Sequence, residues 1–380
     1  MKIFRFLKSI SLFLLALFLT ACSEEKPDFK FELLPSSKTG INFNNSIEET
    51  FDFNPINFVY IYNGSGVGTG DINNDGLPDL FFGGNQVSSK LYLNKGNLEF
   101  EDITAKAGIS ETGWVTGVSF VDINTDGYMD IYVSVADRDI DKSENKLYIN
   151  LGDNTFEESA EKYGLNDNGY STQAAFFDYD KDGDLDMYLL TNGIEPFNHN
   201  NLRPIKLDGK GVTTDRLYKN NGDNTFTNVS REAGITIEGY GLGVGILDVN
   251  NDGWPDIYCS NDFITNDLLW INNGDGTFTN GITDYITQTS SNGMGLDIED
   301  YNNDGLEDIV QMDMLPESNL HKKTMTSAMS YNNQSMRYTM GYMPQYVRNT
   351  LQLRNKDSSF SEIGRLAGIH KTDWSWAPLI

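Results

Sequence analysis

The chain has 380 residues, with 55 acids against 28 bases and a formal charge of −27. A hydrophobic content of 39% suffices for a packed core, which excludes a disordered acidic tail. The acidic balance argues against nucleic acid as a partner, because a polyanion needs a basic face. Two cysteines exclude a disulfide-stapled or Cys-rich metal scaffold.

Lys2, Arg5 and Lys8 precede an apolar stretch from Ile10 to Leu19. That stretch is shorter than the about 20 apolar residues a bilayer span takes, so residues 1–21 read as a signal peptide. It ends in Leu19-Thr20-Ala21-Cys22, which resembles the lipobox of a bacterial lipoprotein. Lipidation is therefore expected at Cys22, with 22–30 as a lipid-anchored linker. Ser23-Glu24-Glu25 resembles the surface-export signal of lipoproteins in the Bacteroidota. The expected location is the outer membrane of a Gram-negative bacterium, exposed at the cell surface.

From residue 31 onward the chain repeats. One nine-residue pattern occurs five times: DINNDGLPD at 71–79, DINTDGYMD at 122–130, DYDKDGDLD at 178–186, DVNNDGWPD at 248–256 and DYNNDGLED at 300–308. A second lies between the copies, as in LYINLGDNTFEESAEKYGL at 147–165. Phe100, Phe156, Phe226 and Phe360 each precede a glycine by eight residues. A unit reads as four short strands. One enters the acidic loop, one leaves it, the third is the LY-x-N segment, and NGDNTF turns into the fourth. Tandem four-strand units of this length predict an all-β propeller with calcium loops; an open solenoid is the alternative.

The segment FELLPSSKTGI at 31–41 matches the fourth strand of a unit and is expected as an orphan outer strand. Trp114, Tyr170 and Tyr240 stand eight residues before a loop, and Trp374 shares that register. The next loop would then start two residues beyond Ile380. Five blades and the start of a sixth are expected, as part of a longer ring of six to eight.

The loops offer oxygen at positions 1, 3, 5 and 9, with glycine at 6. The first has Asp71, Asn73, Asp75 and Asp79; the second, Asp122, Asn124, Asp126 and Asp130. The third has Asp178, Asp180, Asp182 and Asp186; the fourth, Asp248, Asn250, Asp252 and Asp256; the fifth, Asp300, Asn302, Asp304 and Asp308. Position 7 varies (Leu77, Tyr128, Asp184, Trp254, Leu306), as expected where a backbone carbonyl is the ligand. Oxygen donors without His or Cys predict Ca²⁺, at about five sites. A helical EF-hand does not fit, because strands flank the loop.

The loops and the LY-x-N-x-G-D-x-x-F segments resemble FG-GAP/VCBS repeats, the blades of integrin α-chain propellers. YNGSGVGTGDINNDGLPDLFFGGN, QMDMLPE, YVRNTLQL and TDWSWAPL are similar to one subgroup. These are bacterial lipoproteins with a C-terminal ASPIC/UnbV domain, related to cartilage acidic protein. The resemblance spans about residues 29–380 and implies a seven- or eight-bladed calcium-binding propeller without an established activity.

Two insertions interrupt the repeat, at 191–216 and 310–349. The second holds seven of the eleven methionines and four tyrosines. It reads either as an adaptable partner or sugar surface, or as a helical lid packed on the propeller. His199, His321 and His370 have no metal-ligand spacing. The glycines at 64–70 and 239–245 imitate a nucleotide loop but lead into acidic loops, so they read as crowded inner strands. The expected function is non-enzymatic binding or adhesion to a glycan or protein. A lyase-like polysaccharide enzyme and a scaffold for an ASPIC/UnbV domain are the alternatives.

Overall fold

The computed structural model describes residues 31–109, 113–193, 202–263, 265–325 and 331–380. Two compact units divide the chain, residues 1–39 and 40–380. The signal peptide, Cys22 and the linker at 22–30 lie outside the described residues, as do parts of both insertions. No helix among the described residues is long and apolar enough to cross a membrane.

The orphan outer strand expected at 31–41 is absent. Ser36–Thr39 forms one helical turn, and Phe31 and Leu33 are 93% and 96% exposed. A strand needs a neighbour for its N–H and C=O groups, and among the described residues this segment belongs to no sheet. Pro35 removes a further donor.

Residues 40–380 contain five four-stranded antiparallel sheets, each connected in chain order. The first comprises Val67–Gly70, Asp79–Phe82, Lys90–Asn94 and Phe100–Asp102; the second, Val115–Val121, Asp130–Val135, Lys146–Asn150 and Phe156–Glu158. The third comprises Ser171–Phe177, Asp186–Thr191, Arg216–Asn220 and Phe226–Asn228. The fourth comprises Gly241–Leu247, Asp256–Asn261, Leu268–Asn272 and Phe278–Asn280; the fifth, Leu296–Glu299, Asp308–Gln311, Thr350–Arg354 and Phe360–Glu362.

First strands of consecutive sheets lie against one another. Ser119 Oγ donates to Ala174 O at 2.8 Å, and Thr172 Oγ1 donates to Gly241 O at 3.0 Å. The glycines permit this approach. A Cβ at Gly117 would sit 2.4 Å from Thr172 O, and one at Gly70 would sit 2.4 Å from the Phe120 ring. The array is all-β, propeller-like and open, with each first strand innermost.

Second strands are sandwiched on both faces, so all six residues of Asp130–Val135, Asp186–Thr191 and Asp256–Asn261 are buried. The core consists of layers between sheets. Phe81 and Leu91 pack with Ile131 and Tyr148; Tyr188 and Leu217 pack with Ile257 and Trp270. Each fourth strand begins at the repeated phenylalanine. The helical turns after three of them close on Gly108, Gly164 and Gly368, all at positive φ. Eight residues after Phe278 stands Ile286 rather than glycine, and it ends the turn in extended backbone instead.

Within the insertion at 310–349, helices span Asn319–Met325 and Tyr331–Thr339. Met312 and Met343 are buried, whereas Tyr331 and Met336 face solvent. Tyr342 Oη donates to Arg203 O at 2.6 Å, which joins the two insertions. Buried Glu238 holds the 191–216 insertion through Arg203 and the Lys206 N–H.

One repeated feature escaped the sequence reading. Ser89, Asn145, Asp215, Asp267 and Asn349 occupy the same place, two residues before each third-strand leucine. Each is buried and accepts a backbone N–H from the segment leaving the second strand: Gly84, Val135, Thr191, Asn261 and Asp313, at 2.8–3.1 Å. Two of the five are carboxylates. Burial pushes Asp267 up to about 7 and Asp215 up to about 6, against the N–H and tyrosine donors that hold them down.

Asp267 therefore keeps a proton that the unfolded chain has released above about pH 4. Its contribution to stability is full at low pH and shrinks as pH rises through about 7. Asp267→Asn installs the residue that Asn145 and Asn349 already provide. In saturating calcium, its melting temperature should match the parent near pH 5 and exceed it near pH 8. An unchanged pH slope would count against this account.

Candidate metal centres and an axial cavity

Each first strand runs directly into an acidic loop, so the loops gather at one end of the strands. Position 4 of every loop is left-handed: Asn74, Thr125, Lys181, Asn251 and Asn303 have φ of 56–59°. Glycine at position 6 follows, with φ of 84–98°. This backbone aims N–H groups at the side chains. In the first loop, Asp71 accepts the Asp75 and Gly76 N–H groups at 3.1 and 2.8 Å, and Asp75 accepts that of Leu77 at 2.9 Å. The other four loops repeat these bonds, the third at 3.1, 3.1 and 3.3 Å.

Position 9 has a distinct role. Asp79, Asp130, Asp186, Asp256 and Asp308 are fully buried. One oxygen of each accepts the N–H of a third-strand residue: Asn94, Asn150, Asn220, Asn272 or Arg354, at 2.7–2.8 Å. In four loops the other oxygen accepts the N–H at position 2, at 2.9–3.2 Å. In the fifth, Asp308 Oδ2 is buried without a hydrogen-bond partner. Burial pushes Asp130 and Asp186 up to about 7 and Asp256 to about 6, with the neighbouring loop carboxylates adding to the shift.

The asparagine of LY-x-N also links blades. Asn150 Nδ2 donates to Ile72 O and Asn272 Nδ2 to Tyr179 O, both at 2.8 Å. Arg354 makes the corresponding bond to Val249 O. Loop-to-loop contacts add Asn74 Nδ2 on Gly127 O at 2.9 Å, and the Lys181 ammonium 4.2 Å from the Trp254 ring centre.

The donor set suits a hard cation, because every side-chain candidate is a carboxylate or amide oxygen. Carboxylate oxygens of Asp178, Asp180 and Asp186 lie within 4.8 Å of one another, a group able to hold a metal ion. Asp180 Oδ1 and Asp184 Oδ1 are buried and unpartnered, as is Asp308 Oδ2. Such atoms are costly unless something fills them.

The opposite end of the strands holds a cavity of about 110 Å³. Its wall repeats the register of the loops. Asn63, Trp114 and Tyr170 stand eight residues before a loop; Thr116, Thr172 and Leu242 stand six before. Each of the last three is the extra residue where strand register shifts, a bulge that redirects its side chain. Trp376 also lines the cavity. Phe58 and Tyr60 cover the cavity from a segment the sequence reading left unassigned. Phe58 packs edge-on against Trp114 at 4.9 Å. Tyr60 Oη donates to buried Asp262 at 3.2 Å and accepts from Asn192 Nδ2 at 3.2 Å. Among the described residues, the two insertions contribute only Asn192 to this wall.

Models of the FG-GAP-like repeat match residues 71–133, 135–189, 208–259 and 248–310. The chain belongs to the FG-GAP-like repeat family. Over 280 residues it is 24% identical to cartilage acidic protein 1 of Xenopus tropicalis. That alignment covers 70% of this chain and 41% of the relative, so the chain spans less than half of that protein. Among solved structures, it is similar to an Agrocybe aegerita lectin that recognises non-reducing terminal N-acetylglucosamine. The TM-score is 0.42 at 18% identity, covering 78% of this chain and 65% of the lectin. It is also similar to the V. cholerae biofilm matrix protein Bap1, with TM-score 0.33 at 13% identity, covering 62% and 30%.

If the FG-GAP-like loops hold calcium, EDTA lowers the melting temperature and millimolar Ca²⁺ restores it. With a Kd of about 10⁻⁴ M, about 1 mM Ca²⁺ adds roughly 1.4 kcal/mol per loop. A melt indifferent to both reagents removes the metal assignment.

Proposed function

We propose that this chain is a calcium-binding, lipid-anchored cell-surface module that binds an uncharged glycan without turning it over. The observation that carries the reading is the cavity wall. In a chain of net charge −27, aromatic rings, amides, hydroxyls and aliphatic carbons line it, and no charged side chain among the described residues does. Aromatic faces stack on sugar rings, and amides satisfy hydroxyl groups. The Asn63 and Gln173 amides and the Tyr170 hydroxyl have no hydrogen-bond partner among the described residues. The acidic surface would repel anionic polysaccharide. Calcium occupies the five loops at the other end and serves the scaffold. The leader ending in Leu19-Thr20-Ala21-Cys22 supports the anchor and an outer-membrane, surface-exposed location.

One feature favours a second reading, an enzyme that acts on polysaccharide. Tyr60 in the wall is bonded to Asp262, whose carboxyl burial pushes up to about 7. A tyrosine beside a carboxyl of that acidity resembles an acid–base pair.

Tryptophan fluorescence separates the readings, since Trp114 and Trp376 stand in the wall. Neutral oligosaccharides should change it saturably, and oligoglucuronates should not. Tyr170→Ala and Gln173→Ala should each weaken binding about tenfold, a loss of about 1.4 kcal/mol. Release of unsaturated products absorbing in the ultraviolet would instead support the enzyme. No saturable response to any neutral glycan would remove the glycan reading. Incorporation of a fatty-acid label should vanish in Cys22→Ala; label retained in that variant would contradict lipidation there.

A further inference from the structure

The five loops are not equivalent. In four of them position 3 is asparagine, and its amide donates to the position-5 carboxylate at 2.8–3.0 Å: Asn73 to Asp75, Asn124 to Asp126, Asn250 to Asp252 and Asn302 to Asp304. The amide fixes the position-5 side chain and keeps its own oxygen available. In the third loop position 3 is Asp180, a carboxylate with no amide N–H to give. Two carboxylates two residues apart then repel each other.

Lys219 stands where the other sheets have Leu93, Ile149, Ile271 and Leu353. Its ammonium donates to Asp180 Oδ2 and, at 3.1 Å, to Asp182 Oδ2. Asp180 Oδ1 is left buried and unpartnered. This is also the loop in which three carboxylates converge within 4.8 Å. The cation therefore engages one oxygen of each carboxylate and leaves the other oxygen of Asp180 for a ligand.

We propose that Lys219 is the positioning residue of the third metal loop, replacing the asparagine amide that orders the other four. Asp180 and Lys219 together are then the equivalent of Asn73 and Leu93. The inference rests on the calcium reading above, and it makes an uncommon directional claim. Charge alone predicts that removing Lys219 tightens calcium, since a competing cation is lost. Positioning predicts the reverse, because Asp180 and Asp182 swing apart without it.

Calorimetric calcium titration of the full chain tests this. Lys219→Leu should weaken one binding equivalent at least tenfold and leave the others unchanged. The double variant Asp180→Asn with Lys219→Leu has the parent's net charge and copies the first sheet, so it should restore that equivalent. Tighter or unchanged binding in Lys219→Leu overturns the proposal, as does a double variant no better than the single one. Absence of calcium binding by the parent chain would instead overturn the calcium reading itself.

Discussion

The structure depends on one buried carboxylate per sheet. At position 9, an aspartate sits at the base of the loop and takes an N–H from the third strand and, in four of the five loops, one from position 2. It thereby ties three strands together at the point where the chain reverses. The bonds are charge-assisted, and the group lies out of water, where each is strong and each omission costly. The same burial raises its affinity for a proton. A divalent cation among the remaining loop oxygens would relieve that strain from the other side.

The two ends of the strands divide the work. At one end lie the acidic loops, linked sheet to sheet through asparagine side chains and the Lys181–Trp254 contact. At the other, bulges turn Thr116, Thr172 and Leu242 toward a shared cavity under Phe58 and Tyr60. Concentrating charge at one end leaves the other free for uncharged chemistry. The scaffold between them is rigid because its second strands are packed on both faces. That rigidity preorganises both ends without a separate device for either.

Repetition lets the sequence reveal exceptions as well as rules. Lys219 departs from an aliphatic position, and Asp180 from asparagine, in the same sheet. Each alone looks like surface variation. Their ion pair joins the two departures in one place. Asp308 offers a different exception, since Tyr301 N–H turns to Glu299 O and leaves an oxygen of the carboxylate unpartnered.

The amino-acid sequence determined the strand pattern, the number of loops and their oxygen-only donors. These follow from spacing that recurs five times, and local turn chemistry enforces it through glycine at position 6. It also showed that the glycine-rich stretches are inner strands, because no helix follows them. What it did not determine was pairing. The segment 31–41 carries a fourth-strand pattern yet forms only a helical turn, since a strand exists only where a neighbour supplies hydrogen bonds. The buried series of Ser89, Asn145, Asp215, Asp267 and Asn349 was hidden because three residue types share one task. The cavity was hidden because its wall draws on residues far apart in sequence. The register of Trp114 and Tyr170 was visible, but only the tertiary structure brought those rings to one place, by setting the sheets around common inner strands.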